Sequence, residues 1–217
     1  MNELKYLNIC YNLKENNGKF HEFISSYTNK VFKYDNQDEL IDLIRNKDIH
    51  LVITKYNFEL LKQIRTLNNQ IQIIAFLDEL NHTHLIESLE IEYIKFIREI
   101  NCINEFIYIL KDCVKNIDAG KSNIIKLKNN FIYDSYNKTL FEKNEIIFLT
   151  KKETLFLDLL IRKHNKALEY NQINKEIWNN TMSQDALRSL VKEIRKKTYK
   201  EIIKNVSGMG YRIDITL

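Results

Sequence analysis

The chain has 217 residues, of which 44% are hydrophobic and 29% charged, with three cysteines, four glycines and no proline. This composition indicates a globular protein of one or two domains and argues against a disordered, fibrous or disulfide-stapled chain. No apolar run approaches the roughly 18 residues that span a bilayer, so we expect a cytoplasmic protein without a membrane segment. The net charge of +4 is unevenly divided, since residues 1–118 hold 14 basic and 18 acidic side chains and residues 119–217 hold 19 and 11. The basic second half is therefore the half expected to meet a polyanion.

The first half of the chain alternates short apolar runs with amphipathic stretches. Five runs rich in β-branched and aromatic residues predict strands at 5–10, 31–34, 50–54, 71–76 and 93–97. Helical periods lie between and after them, and the last one repeats apolar residues at Phe106, Leu110 and Val114. Five strands alternating with five helices predict an α/β doubly wound sheet of strand order 2-1-3-4-5, which we assign to residues 1–117.

The pattern changes after residues 118–123, DAGKSN, which are small and polar and predict an interdomain linker. Four short apolar runs separated by asparagine-containing turns then predict an antiparallel sheet. Three amphipathic helices follow, and the first begins with Thr150 and Glu153 at the spacing of a capping box. Its predicted buried face is Leu155, Phe156, Leu159 and Leu160. Residues 124–217 are thus predicted to form an α+β domain.

The third helix of this domain carries a basic face. Its predicted core-facing residues are Leu187, Leu190, Val191 and Ile194. The residues left on its outer face are Gln184, Arg188, Lys192, Arg195 and Lys196. A stripe of cations on a helix suits the major groove of duplex DNA, which admits an α-helix. A solvated basic face with intrahelical pairing is the alternative that the helix alone leaves open.

Two strand-like runs joined by the sequence SGMG close the chain. A tight hairpin needs positive φ or a close backbone approach, and glycine at positions 208 and 210 supplies both at little steric cost. A basic helix followed by a glycine-turned hairpin predicts a winged helix-turn-helix. The hairpin, or wing, would present Arg212 to the DNA backbone or the minor groove.

The segments LTKKETLFLDLLIRKHNKALEYNQINKEIW, LVKEIRKKT and IIKNVSGMGYRI together resemble the DNA-binding domain of OmpR/PhoB-type response regulators, over about residues 123–217. The resemblance implies that Arg195 is the arginine of the recognition helix. It also implies a family wing, formed by Gly208, Gly210, Tyr211 and Arg212. Ser207 and Glu193 depart from the family pattern, so the target sequence is not inherited from the family.

The same resemblance implies a receiver domain before the winged helix, promoter half-sites in double-stranded DNA as the partner, and a homodimer. Members of this family dimerise through a face that corresponds here to about residues 82–115, where Phe106 and Tyr108 suggest an apolar contact. RNA polymerase is a further candidate partner. The alternative function is a protein-interaction module whose winged helix binds polymerase or another regulator.

Receivers of this family are phosphorylated on an aspartate after the third strand, with Mg²⁺ held by carboxylates after the first. Here Lys55 occupies the acceptor position, Leu77 the position of a hydroxyl residue, and Phe96 that of a lysine. A cation at the acceptor position removes the nucleophile and repels Mg²⁺, so we predict that the domain is not phosphorylated in the usual way. Lys55 either pairs with Asp78 or Glu79 or is solvated.

No catalytic residue, metal site or cofactor is predicted. His82 and His84, which follow Asp78 and Glu79, form a weak metal motif that the start of a helix explains more simply. An enzyme has no support, because the chain contains no glycine-rich phosphate loop, nucleophile elbow or carboxylate pair at the strand ends. The cysteines are predicted to be buried, with a redox-sensing thiol as the alternative: Cys10, Cys102 and Cys113.

Overall fold

A computed structural model of the protein describes residues 4–12, 17–98, 103–119 and 122–215. The chain divides into two compact units, Met1–Asn123 and Ile124–Leu217. The last helix of the first unit continues to Ala119, inside the segment predicted as a linker. The amide oxygen of Asn123, which is fully buried, accepts a hydrogen bond from the backbone N–H of Tyr93 at 2.6 Å. The end of that segment is therefore packed into the first unit.

The first unit is a five-stranded parallel sheet interleaved with helices. Its strands are β1 (Asn8–Tyr11), β2 (Lys30–Lys33), β3 (Leu51–Lys55), β4 (Gln72–Phe76) and β5 (Ile94–Ile97). Its helices are α1 (Asn17–Tyr27), α2 (Gln37–Asn46), α3 (Phe58–Leu67), α4 (His82–Ile91) and α5 (Ile103–Ala119). The strand order β2-β1-β3-β4-β5, all pairs parallel, confirms the predicted topology. The central strands β3 and β4 are almost wholly buried, as expected of strands inside a parallel sheet.

The second unit combines two antiparallel sheets with three helices. The first sheet contains β6 (Ile124–Lys126), β7 (Phe131–Asp134), β8 (Thr139–Glu142) and β9 (Glu145–Ile147) in sequential order. The helices are α6 (Lys151–Arg162), α7 (Tyr170–Trp178) and α8 (Gln184–Lys197), followed by a short 3-10 helix, Lys200–Ile202. The second sheet has the order β10-β12-β11, with β10 (Leu168–Glu169), β11 (Lys204–Val206) and β12 (Gly210–Arg212). This arrangement is a winged helix-turn-helix, as predicted.

Asparagine takes over several tasks that glycine performs in other chains. Asn129 and Asn130, with φ of 56° and 64°, make the turn between β6 and β7. Lys143 and Asn144, with φ of 48° and 66°, make the turn between β8 and β9. Positive φ at both central residues is the requirement of a type I′ hairpin turn, which matches the twist of the flanking strands. Asparagine tolerates this region best after glycine, so a glycine-poor chain still forms tight hairpins.

Helix α6 is buried over a wider arc than its sequence period suggests. The residues it buries include Phe156, Leu157, Leu159, Leu160 and Ile161, together with the charged Glu153 and Asp158. Leu155, predicted on the buried face, is 41% exposed, so that assignment was wrong. The helix packs with residues of the four-stranded sheet as well as of α7 and α8 in one core, and contact on two sides buries more than one stripe.

Phe106 does not lie on an exposed face of α5. Its side chain is 1% exposed and its ring packs against Phe20, with the ring centroids 5.4 Å apart. The expectation that Phe106 contributes to an apolar surface was therefore wrong. Tyr108, in contrast, is 64% exposed.

Candidate nucleic-acid interface

Helix α8 is held against the core of the second unit along one side. The hydroxyl of its N-cap, Ser183, accepts a hydrogen bond from the N–H of Ala186 at 3.1 Å, which satisfies a free donor of the first turn. Leu187, Val191 and Ile194 are buried, as their spacing predicted. The opposite face of the helix is therefore directed to solvent.

The end of α8 is tied to the start of α6 by a buried carboxylate. Thr150 and Glu153 form the predicted capping box, with the Thr150 N–H donating to Glu153 Oε2 at 2.6 Å. The same Oε2 accepts from Lys197 Nζ at 2.6 Å. Burial alone would raise the pKa of Glu153, but the hydrogen bonds from Lys197 and Thr150 outweigh it and hold this pKa below its ordinary value. The ionised carboxylate thus fixes the last turn of α8 on the first turn of α6.

The outer face of α8 borders an open concavity that we call the basic cleft. Its lining consists of Arg188, Val191, Lys192, Arg195, Lys196, Lys200 and Tyr211. Five of these seven side chains are cationic and none is acidic. The buried Val191 and Tyr211 belong to the domain core beneath them. Such a concentration of one charge sign on a concave surface attracts polyanions.

Four of the predicted contact residues are exposed on the helix itself: Gln184, Arg188, Lys192 and Lys196. Arg188 Nη1 lies 3.3 Å from Asp185 Oδ1, and Lys196 Nζ lies 2.7 Å from Glu193 Oε1. These intrahelical pairs are solvent-exposed and stabilise by about 0.3–0.5 kcal/mol, so a phosphate can displace them at little cost. Lys192 forms no ion pair with any residue that the structure describes. Gln184 is exposed at the first position of α8 but does not line the basic cleft.

Arg195 differs from the other cations because it also holds the backbone. Its Nη2 donates to the carbonyl oxygen of Ile203 at 2.6 Å, while its Nε is buried without a hydrogen-bond acceptor among the described residues. The side chain therefore connects α8 to the chain that enters β11. Lys200 was not predicted as a contact, since it lies beyond the end of the helix where helical spacing gives no signal.

The two wing glycines perform two different tasks. Gly208 has φ of +72°, a left-handed conformation that the hairpin turn requires, and no atom lies within 4 Å of the position a Cβ would take. Gly210 has φ of +152°, and a Cβ there would lie 2.0 Å from the carbonyl oxygen of Leu168 in β10. The first glycine supplies the turn and the second the close approach of two strands.

Tyr211 and Arg212 are less accessible to DNA than the wing motif predicted, because the first is buried and the second is paired with a carboxylate. Tyr211 is 7% exposed, and its ring meets those of Phe156 and Tyr170 edge-on at 6.1 and 6.0 Å. Arg212 is outside the lining of the basic cleft, and its guanidinium pairs with Asp214, Nε to Oδ1, at 2.6 Å. The structure thus brings four of the six predicted DNA-contact residues together in one cleft and leaves Gln184 and Arg212 outside it.

The carboxyl edge of the parallel sheet contains aromatic rings where a receiver has its phosphorylation residues. Lys55 is exposed at the end of β3 and forms no ion pair in the described part of the chain, so the expected contact with Asp78 or Glu79 is not formed. Leu77 and Phe96 are buried. The edge is closed by apolar side chains, beside which Lys55 projects into solvent.

Tyr56 packs between the other side chains that cover the carboxyl edge of the sheet. Its ring lies 4.7 Å from that of His84 and 5.7 Å from that of Phe96, centroid to centroid. Its hydroxyl donates to a carboxylate oxygen of Glu87. His84 is the N3 residue of a capping box with Asn81, which confirms that the start of a helix explains this histidine. No group of three or more metal-ligand side chains occurs within residues 4–12, 17–98, 103–119 and 122–215.

Two of the three cysteines can be placed. Cys10 and Cys113 are buried, as predicted, whereas Cys102 lies outside the described residues. Burial raises the pKa of the Cys10 thiol to about 12, which keeps it protonated and unreactive at neutral pH. No helix among the residues described is long and apolar enough to cross a membrane.

Comparisons with known proteins agree with the observed fold. Residues 143–213 match the family model of the transcriptional regulatory protein C-terminal domain. The response regulator DrrB of Thermotoga maritima, an OmpR/PhoB homolog, superposes with a TM-score of 0.68 at 16% identity, covering 97% of this chain and 100% of that one. No curated protein sequence matches the chain.

Isolated DNA-binding domains also match the second unit. That of Bacillus subtilis CssR is 27% identical, covers 35% of this chain and 89% of that one, and has a TM-score of 0.31. That of Klebsiella pneumoniae RstA, solved in complex with the RstA box, is 16% identical, covers 42% and 96%, and has a TM-score of 0.36.

The fold and the partial sequence match point to the same class of protein. The chain has the fold of a response regulator, with a five-stranded α/β domain followed by a winged helix. Residues 143–213 match the transcriptional regulatory protein C-terminal family, and the whole chain shares its fold with DrrB, an OmpR/PhoB homolog.

Proposed function

We propose that this protein is a cytoplasmic transcription regulator that binds specific sequences of duplex DNA with α8 in the major groove. The observation that carries the proposal is the basic cleft along α8, whose lining contains five cations and no carboxylate. Backbone phosphates dominate the affinity of such interfaces, and base edges supply the specificity. The family match over residues 143–213 supports the same function.

The positions along α8 suggest a division of tasks. In helix-turn-helix proteins the N-terminal residues of the recognition helix contact base edges. Gln184, Arg188 and Lys192 occupy the first three turns and are exposed, so we assign base contacts to them. Lys196 and Lys200 lie at the other end of the cleft and are assigned to backbone phosphates.

The regulator is proposed to act as a homodimer on two half-sites about one helical turn apart. The dimer face is assigned to about residues 82–115, which contain α4, β5 and part of α5. The exposed ring of Tyr108 supports this face, whereas the buried Phe106 is no part of it. A lower dimer fraction of Tyr108→Asp in sedimentation velocity is the expected result, and an unchanged fraction would contradict the assignment.

Control by aspartyl phosphorylation is not part of the proposal. Lys55 stands at the acceptor position, and the buried Leu77 and Phe96 replace the polar residues around it. A primary ammonium cannot form the acyl phosphate that an aspartate forms. The regulator is therefore proposed to bind DNA without this modification.

The proposal is tested by selecting duplexes from a random-sequence pool with the full-length protein. The enriched duplex and a scrambled version of it are then compared by fluorescence anisotropy, for the wild type and Arg188→Ala. We expect this variant to lose roughly 5- to 150-fold in affinity for the enriched duplex, the cost of one base contact, and much less for the scrambled one. Lys126→Ala, which removes an exposed cation on β6, is the control and should change neither.

Two results would contradict the proposal. One is the failure of the pool to enrich any sequence at moderate salt. The other is equal affinity of wild type and Arg188→Ala for the enriched duplex. Retention of RNA polymerase by a protein that binds no duplex would instead support the protein-interaction module.

A further inference from the structure

One carboxylate holds both cations on one face of the wing. Lys204 and Arg212 are directly opposite each other in the β11–β12 pair, so their side chains lie on the same face. Asp214 Oδ2 accepts a hydrogen bond from Lys204 Nζ at 2.6 Å and from Arg212 Nη2 at 3.2 Å. Arg212 Nε lies a further 2.6 Å from Oδ1, as an ionic contact. A cluster that would carry two positive charges therefore carries one.

The position of Asp214 gives it two effects on Arg212. Oδ2 accepts a hydrogen bond from Nη2 while Oδ1 lies against Nε as an ionic contact only, and these two contacts restrain the guanidinium beside the strand. Its negative charge also opposes the approach of a phosphate to either cation. Hydrogen bonds from Lys204 and Arg212 hold the pKa of Asp214 below its ordinary value, so the carboxylate is charged at neutral pH.

These two effects act on different kinds of DNA binding. Attraction to phosphates is independent of sequence and grows with each cation that is free to neutralise one. A base contact depends on sequence and benefits from an arginine whose orientation is already fixed. A carboxylate that removes free charge and fixes an arginine therefore weakens non-specific binding more than specific binding.

We infer that Asp214 is a specificity-determining positioning residue of the wing, which restrains Arg212 and Lys204 from binding any phosphate and orients Arg212 for one site in the groove. The inference rests on the proposed DNA-binding function. It differs from a stabilising role alone, which would leave the preference between two duplexes unchanged.

The test measures the affinity of full-length Asp214→Asn for the enriched and the scrambled duplex over a range of salt concentrations. We expect binding to the scrambled duplex to tighten roughly three- to tenfold at 0.1 M salt, and the slope of log K against log salt to steepen by about one. The ratio of specific to non-specific affinity should fall. Glu145→Gln, an exposed carboxylate on β9 with the same change in net charge, should leave the ratio unaltered.

A second variant separates the role of Arg212 from folding. In Asp214→Asn with Arg212→Ala, the gain on the scrambled duplex should fall to the part that Lys204 supplies, while the fluorescence of Trp178 confirms that the domain is folded. If the wild type prefers the enriched duplex and Asp214→Asn has the same ratio of specific to non-specific affinity, this inference alone is overturned. A wild type that shows no preference for the enriched duplex would overturn the proposed function and this inference with it.

Discussion

The substitution Gly210→Ala tests how the wing is joined to its domain. The added Cβ would lie 2.0 Å from the carbonyl oxygen of Leu168, 2.9 Å from its carbon and 3.2 Å from the Cα of Glu169. All three atoms belong to the backbone of β10, so no flexible side chain can move aside. The strands β10 and β12 must separate, which disturbs the pairing of Leu168 with Tyr211.

The expected cost follows from two terms. Overpacking against backbone costs about 1–3 kcal/mol, and alanine at φ of +152° is held in a sparsely populated region at about 1–3 kcal/mol more. We therefore expect Gly210→Ala to lower the free energy of unfolding of the second unit by roughly 2–6 kcal/mol. Gly208→Ala is the matched control, because its Cβ meets nothing within 4 Å and only the left-handed φ costs about 1–2 kcal/mol.

Urea unfolding of the full-length protein measures both values. Trp178 is the one tryptophan of the chain and is buried in the second unit, so its fluorescence follows that unit selectively. The midpoint of Gly210→Ala should fall well below that of Gly208→Ala at an unchanged m-value. Equal midpoints for the two variants would refute the close approach of β10 and β12 as the reason for the second glycine.

Three further predictions concern the capping carboxylate, the acceptor position and a buried thiol. Glu153→Gln should lower the free energy of unfolding by about 1–3 kcal/mol at pH 7, since it weakens a buried hydrogen bond with Lys197. The pKa of Glu153 is lowered in the folded state. The difference in unfolding free energy between wild type and Glu153→Gln is therefore fully present above the unfolded pKa of about 4.3, and it shrinks as the pH falls through the folded-state pKa. Urea midpoints measured over a range of pH would show this loss. Lys55→Ala should leave the thermal midpoint unchanged, and mass spectrometry should find no Mg²⁺-dependent acetyl phosphate label in residues 1–117 of the wild type. Cys10 should resist iodoacetamide in the native protein at pH 8 and react after unfolding, and rapid native alkylation would contradict its burial.

Sequence reasoning was most successful where one residue pattern has one structural solution. The alternation of apolar runs and helical periods predicted the strand order of the first unit correctly. Parallel strands joined by short right-handed helical crossovers can be arranged in only a few topologies. The capping box of Thr150 and Glu153 and the buried residues of α8 follow from local spacing, and both were observed. The glycines at 208 and 210 were expected to serve a turn or a close approach, and each serves one of the two.

Sequence reasoning failed where burial depends on contacts distant in the chain. Leu155 fits the helical period of α6, but the packing of neighbouring elements leaves it exposed. Phe106 is buried with Leu110 and Val114, as the period of α5 predicted, and only its additional assignment to the dimer face was wrong. Strand β10 has two residues and no periodic signal, and it forms only by pairing with β12. The hold of Asp214 on Arg212 depends on side-chain direction at the end of a strand, which spacing alone does not reveal.

In the proposed function, the basic cleft on α8 binds both phosphates and bases of DNA. It is tested by the salt dependence of affinity for the enriched duplex, compared between the wild type and the double variant Lys196→Ala, Lys200→Ala. Because both side chains are assigned to backbone phosphates, the slope of log K against log salt should become shallower by about two. A slope identical to that of the wild type would show that DNA does not occupy the cleft.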